Sequence, residues 1–426
     1  MIAPLILDQR KPMTVILLLF ALLLPLSKSA VTVLVGIAAL YLFSLAIAKG
    51  AYRAELKHFL DQPLLVPVLL PVGVAIAGLF LTEHLSDGLG IVNKLATLPL
   101  AYLVIAVLVD AADSGPSGSR TAENALLVFI AGVLLLDGIA ALTYLGIIGQ
   151  RKFTLPVYPM NVHHIWFSNL NAVGLYAALS FLFFGMVKSN RALRIFLAVF
   201  LGFAVFSILF SLSRTAWFGL FAAGIVLSYL LARTKRWFLL ALATMIAGCL
   251  LAYQFSAIVQ SRVNSIFSDL ALYTRGETFS NVGDRFVMWK AAFSMFLSSP
   301  LTGVGTGDYV ATMREYVAAG TVPERILGFN QPHNMYLFAL ATNGLLGLVA
   351  LLFLFSRVLF LSLPLTDAQP GQKQFRFLAA AVAVHYLVAG FTDSLFNIFL
   401  LRYTFAFLMG ICVRRTIKGR IKSIIP

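Results

Sequence analysis

The chain has 426 residues, 60% of them apolar and only 12% charged, with a mean hydropathy of +0.92. Soluble domains carry about 25% charged residues, so the composition excludes a soluble globular protein and indicates an all-α polytopic membrane protein. The net charge of +15 would suit nucleic acid, but most of the charges sit in short loops between apolar stretches, and no nucleic-acid partner is expected.

Twelve apolar stretches approach the roughly 20 residues that cross a bilayer. They fall near 13–27, 30–48, 63–81, 95–111, 123–147, 165–187, 195–213, 215–232, 237–254, 334–355, 377–393 and 396–412. The chain thus divides into nine spans over 1–254, a long connection over 255–333, three spans over 334–412 and a basic tail over 413–426. Ser27-Lys28-Ser29 leaves room only for a tight hairpin between the first two spans. Ser27–Ala30 resembles a signal-peptidase site, yet the next apolar stretch begins at once, so the first helix is expected to be retained. Cys249 and Cys412 both fall inside spans and imply no disulfide framework.

Lysine and arginine loops orient the bundle. Lys49, Arg53 and Lys57, then Lys188, Arg191 and Arg194, then Arg233, Lys235 and Arg236, fall in one set of connections. Arg357, Lys373, Arg376 and the tail from Arg414 to Lys422 belong to the same set. The other short loops hold only Lys28, Lys94, Arg151, Lys152, Arg214 and Arg402. Both termini are therefore expected in the cytoplasm, and the 255–333 connection outside.

That connection is patterned for structure. Val259, Val263, Ile266, Phe267 and Leu270 form an apolar stripe opposite Arg262, Asn264 and Asp269. Ser280-Asn281-Val282-Gly283-Asp284 supplies capping chemistry for a helix with Phe286, Trp289, Phe293 and Phe296. A third helix is expected from Thr306 through Val317.

Arg214 breaks the greasy run from Phe206 to Leu227. A guanidinium at that depth costs several kcal/mol unless an anion or a water-filled cavity receives it, although snorkelling to headgroups is an alternative. Arg285 follows Asp284 at a helix start, where a cation opposes the dipole; anion binding and a salt bridge both fit. His333 follows Pro332 and precedes a span, where an imidazole can take a proton from a hydroxyl or cap the helix. Arg151 and Lys152 could attract an anion or meet lipid phosphate. His163 and His164 are adjacent and suit a metal poorly.

Pro300-Leu301-Thr302-Gly303-Val304-Gly305-Thr306-Gly307-Asp308 lacks the ending and the preceding strand of a phosphate loop, and reads as a glycine turn passing close to substrate or to another helix. D-x-D and HExxH are absent from the sequence and its acidic residues are scattered, so no metal site and no cofactor are expected, and arginine is the expected partner of any diphosphate leaving group.

Several short segments resemble the bacterial O-antigen ligase family (WaaL), within a wider ligase–polymerase group of membrane glycosyltransferases. They are Ser213-Arg214-Thr215-Ala216-Trp217, Asp284-Arg285-Phe286-Val287-Met288-Trp289, Pro300–Gly305, Pro332-His333-Asn334 and Asn343-Gly344-Leu345-Leu346-Gly347, with Phe167-Ser168-Asn169-Leu170-Asn171 a weaker match. The resemblance implies about twelve transmembrane helices in a GT-C-like architecture, with the site at the periplasmic face of a Gram-negative inner membrane. It implies an undecaprenyl-diphosphate-linked glycan as donor and lipid A–core as acceptor. His333 would be the catalytic base and Arg214 and Arg285 the diphosphate ligands, with Arg151, Lys152, His164, Asn171 and Asn334 as secondary substrate contacts. A polymerase of the same group is the nearest alternative, followed by a lipid-glycan transporter or flippase.

Overall fold

The computed structural model of the chain describes residues 10–48, 59–112, 120–149, 152–159, 162–184, 190–232, 234–363, 365, 368 and 370–422. Among them there is no strand, and fifteen α-helices follow one another. These are α1 (Arg10–Leu23), α2 (Lys28–Ala48), α3 (Leu65–Gly78), α4 (Leu85–Ala112), α5 (Thr121–Tyr144), α6 (His164–Phe183), α7 (Arg191–Phe210) and α8 (Arg214–Leu231). Then come α9 (Lys235–Phe255), α10 (Ala257–Thr274), α11 (Asn281–Ser298), α12 (Tyr309–Ala318), α13 (Met335–Ser362), α14 (Pro370–Ala389) and α15 (Phe399–Lys422). The protein is an all-helical polytopic membrane protein. Of the basic loop residues that orient it, Lys49, Arg53, Lys57, Lys188 and Arg233 lie outside the described residues.

All twelve apolar stretches are helical. Eight of them, α2, α4 to α9 and α13, are long and apolar enough to cross a membrane, while α1, α3 and the first part of α15 are shorter apolar helices. The exception is α14, which carries Lys373, Arg376 and His385. It runs through the middle of the bundle against α8, α15, α13 and α6, and nearly all of its residues are buried. A helix walled in by protein needs no lipid-facing surface, so its charge content does not bar it from the bundle. Arg376 and Arg402, expected in loops, are therefore buried helical residues. Arg402 donates from Nε to Thr97 Oγ1 (2.7 Å) and also to the Phe396 carbonyl. At the other extreme, α9 has no buried residue and packs mainly on α8 and α10.

The connection after α9 folds into three helices, as its sequence pattern implies. Ser280 Oγ accepts from the Gly283 N–H (3.0 Å) and caps α11. Met288, Ala291, Ala292 and Met295 then bury one face of α11 against Tyr309 and Met313 of α12, Ile326 and Ala341. The helical spacing of those four residues produces that single face. The first helix buries little. On α10, Phe267 and Leu270 are exposed, and only Val259 is buried.

Glycine chemistry joins this connection to α13. Gly344 adopts φ 59°, ψ −152°, which breaks the helix. The segment Pro300–Gly305 lies in the break. Val304 and Gly305 N–H groups donate to the Ala341 and Thr342 carbonyls (2.9 and 3.2 Å), while Leu345 and Leu346 N–H groups donate to Pro300 and Leu301 (2.9 and 3.3 Å). Those four helical groups would ordinarily bond to one another, so the inserted segment replaces two rungs of the ladder and leaves none orphaned. The glycine turn thus passes close to another helix. A Cβ at Gly344 would meet the Leu301 carbonyl at 2.4 Å, in a conformation reserved for glycine. Gly344→Ala is expected to cost on the order of 3 kcal/mol, read as a melting temperature several degrees lower in detergent. An unchanged melting curve would contradict this account of the break.

Candidate active site at the loop end of the bundle

Arg214 begins α8 after a sharp turn. Leu212 takes φ +58°, and the turn is held by Trp217 Nε1 donating to the Ile208 carbonyl (2.9 Å) and by His164 Nδ1 on the Ser211 carbonyl (2.8 Å). The first turn of α8 is tied to the end of α14 by Thr392 Oγ1 donating to Thr215 Oγ1 (3.0 Å), and α8 and α14 share the most extensive helix contact of the bundle. The Nη1 of Arg214 is buried without a hydrogen-bond partner among protein groups. A buried guanidinium nitrogen left in that state is costly, and an anion would satisfy it.

Arg285 stands in the first turn of α11, and Trp289, one turn on, donates from Nε1 to the Pro332 carbonyl (2.9 Å). Its neighbour Asp284 does not pair with it. Asp284 instead accepts from Arg325 Nε (2.8 Å), and Arg325 also donates to Thr278 Oγ1 (2.9 Å). Arg285 is thus spared the adjacent carboxylate. Burial pulls its pKa down, partly countered by Asp393, and the nearby Arg214 lowers it further; a guanidinium stays charged throughout. The two sequence-expected arginines are therefore within charge–charge reach of each other.

His333 is the third member. Its backbone lies at φ +50°, which costs a non-glycine residue about 1–3 kcal/mol. Both neighbours are pinned: Pro332 by Trp289, and Asn334 by capping α13, its Oδ1 accepting from the Tyr336 and Leu337 N–H groups (3.0 Å each). His333 Nδ1 meets Asp393 Oδ1 at 3.2 Å, and Gln331 Nε2 donates to the same oxygen (3.1 Å). Asp393 lies in the turn after α14, where Met335 N–H donates to the Gly390 carbonyl (2.7 Å) and fixes the approach. The imidazole, which sequence reasoning left without a carboxylate, has one.

Burial pushes the Asp393 carboxyl up, but His333, Gln331 and the Ser394 N–H together hold it below the ordinary carboxylate value. Its ionised form thus stabilises the fold above that ordinary value, and the contribution is lost as pH falls through the lowered one. An anionic Asp393 keeps the proton of His333 on Nδ1 and leaves Nε2 able to accept another.

His333 and Asp393 border a cavity of about 530 Å³ that also reaches His163, Tyr309, Lys94 and Arg314. Arg214 and Arg285 are not among its walls. The hydroxyl of Tyr309 and Oε1 of Gln331 are buried there without hydrogen-bond partners among protein groups, and burial raises the Tyr309 pKa, so it stays a donor. His163, read from the sequence only as a poor metal ligand, faces this chamber. Burial lowers its pKa; Asp393 opposes that and His333 adds to it.

The other expected contacts are engaged elsewhere. Asn171 is fully buried in α6 and donates to Asp137 Oδ1 (2.9 Å), two turns below the site. The amide oxygen of Asn334 is used as a helix cap. His164 is committed to the Ser211 carbonyl, and Lys152 is exposed with its ammonium over the Phe153 ring. Arg151 lies outside the described residues. No group of three His, Cys, Asp or Glu side chains among the described residues is placed to hold a metal ion.

Comparison with known proteins bears on this same region. No curated protein matches the chain. Residues 197–352 match the family model described as O-antigen ligase, a stretch that contains Arg214, Arg285, the Gly344 break and His333 but stops short of Asp393. Over that stretch, rather more than a third of the chain, the protein is similar to the O-antigen ligase family.

Proposed function

We propose that the protein is an O-antigen ligase that moves a glycan from undecaprenyl diphosphate to a sugar hydroxyl of lipid A–core, at the periplasmic face of a Gram-negative inner membrane. The family match over residues 197–352 supports activity of the ligase–polymerase kind on lipid-linked glycans. The observation that carries the finer reading is a His–Asp pair on a cavity wall with two arginines within charge reach, one of them bearing an unsatisfied buried nitrogen.

The chemistry follows from the parts. His333 Nε2 takes the proton of the acceptor hydroxyl as its oxygen attacks the anomeric carbon of the donor sugar. The bond from that carbon to the diphosphate oxygen breaks, and its electron pair leaves with undecaprenyl diphosphate. Arg214 and Arg285 stabilise the charge gathering there, an effect worth about 2.7–4 kcal/mol for one well-placed donor. Attack opposite the leaving group inverts the anomeric centre. Cleavage of the activated bond between the sugar and the diphosphate supplies the driving force, so no nucleotide is needed.

A deletion strain tests the assignment. Loss of capped lipopolysaccharide with accumulation of long undecaprenyl-linked glycan supports a ligase, whereas single units still attached to lipid A–core would make the protein a polymerase. For topology, a cysteine introduced at the exposed Glu277 is expected to react with an impermeant reagent in spheroplasts. Protection there would place the α10–α12 region on the wrong side. Thr278 is less suitable because it holds Arg325.

A further inference from the structure

The helix α10 turns an unexpected face to the site. Val259, its one buried residue, shares a helical face with Arg262, Ile266, Asp269 and Tyr273, since steps of three, seven, ten and fourteen residues return to nearly the same side. Tyr273 turns that face inward by packing against Phe286, the residue after Arg285, in a tilted ring contact with centroids 4.8 Å apart. Arg262 and Asp269 are half-buried, and both lie within charge–charge range of Arg214. Phe267, 66% exposed, points away from that face, and Leu270, beside Val259 on the helix, is exposed as well, as is Phe255 (82%) at the preceding junction. Exposed apolar side chains suit the membrane interface. The main contacts of α10 are only with α9 and α11.

Two like charges brought together beside an unsatisfied guanidinium nitrogen need an anion between them. On the functional reading above, we propose that Arg262 is a third ligand to the phosphates of the lipid-linked diphosphate, and that α10 closes the membrane-facing side of its site. Asp269 is the resident counter-charge of the empty cluster, and the second phosphate of the donor takes over that role when it binds. A lipid monophosphate leaves the third arginine unused.

The test uses the purified full-length protein in detergent micelles, with undecaprenyl diphosphate and undecaprenyl monophosphate as probes. Arg262→Ala is expected to weaken diphosphate binding about ten-fold or more, the loss of one charge-assisted contact, and to change monophosphate binding little. Arg262→Lys should fall between wild type and alanine. Arg275→Ala, exposed just past the end of the same helix, should bind both as wild type does. Equal affinity of wild type and Arg262→Ala for the diphosphate overturns the assignment, as does a parallel loss for both lipids, which would mark a structural role. If wild-type protein binds neither lipid, the functional reading itself fails and this inference falls with it.

Discussion

His333→Ala is expected to abolish glycan transfer while leaving insertion and donor binding intact. General-base catalysis contributes about 10²–10⁴-fold, and no other group is seen in contact with Asp393 in a way that could replace the imidazole. Donor binding should survive because the arginines sit on α8 and α11, outside the His333 turn. Asp393→Asn sharpens the test. An asparagine amide can donate to Nδ1 and so favour the tautomer whose Nε2 already bears a proton, which cannot act as a base. Its loss should approach that of His333→Ala, and the double variant should be no worse than the histidine variant, since paired groups are non-additive. Near-normal turnover by purified His333→Ala protein would remove it as the base. Full activity of Asp393→Asn would reduce the carboxylate to a structural contact.

Arg214→Lys and Arg285→Lys should each lose at least about ten-fold in turnover although the charge is kept. A lysine ammonium is a compact point charge and cannot reproduce the planar fork that grips two phosphate oxygens. Alanine should be worse, toward the roughly 10²–10³-fold typical of losing one charge-stabilising donor. The two sites should be non-additive if they hold one diphosphate. Arg325 is an unsuitable control because it anchors Asp284 and Thr278 at the start of α11, and so is Arg262, which shares the field of Arg214. Arg194, exposed in the first turn of α7, serves instead, and Arg194→Lys should leave turnover unchanged. Activity should also persist in excess EDTA. If EDTA stops transfer and Mg²⁺ or Mn²⁺ restores it, arginines are not the main partners of the leaving group and a carboxylate has to be reassigned as a metal ligand.

Helices and their ends were legible from the sequence because each leaves a local mark, and similar local marks singled out Arg214, Arg285 and His333 as candidates. Long apolar runs, Ser280 at a capping position and an arginine stranded in a greasy stretch are read within a few residues of themselves. Secondary contacts were read less well, since an asparagine before a span looks the same whether it meets a sugar or, like Asn334, caps its own helix. The α10 stripe was legible as a helix, but that Arg262 and Asp269 lie within charge range of Arg214 was not, because it depends on how α10 packs. The sequence by itself determined the helical membrane bundle and the break at Arg214, and it singled out the arginine–histidine set as candidates. Only the tertiary structure decided that Asp393 stands 3.2 Å from His333, sixty positions away, and that Pro300–Gly305 fills the gap at Gly344. Such pairings depend on how α13 and α14 pack and on which backbone groups a broken helix leaves to be satisfied, and neither quantity is written in any local run of residues.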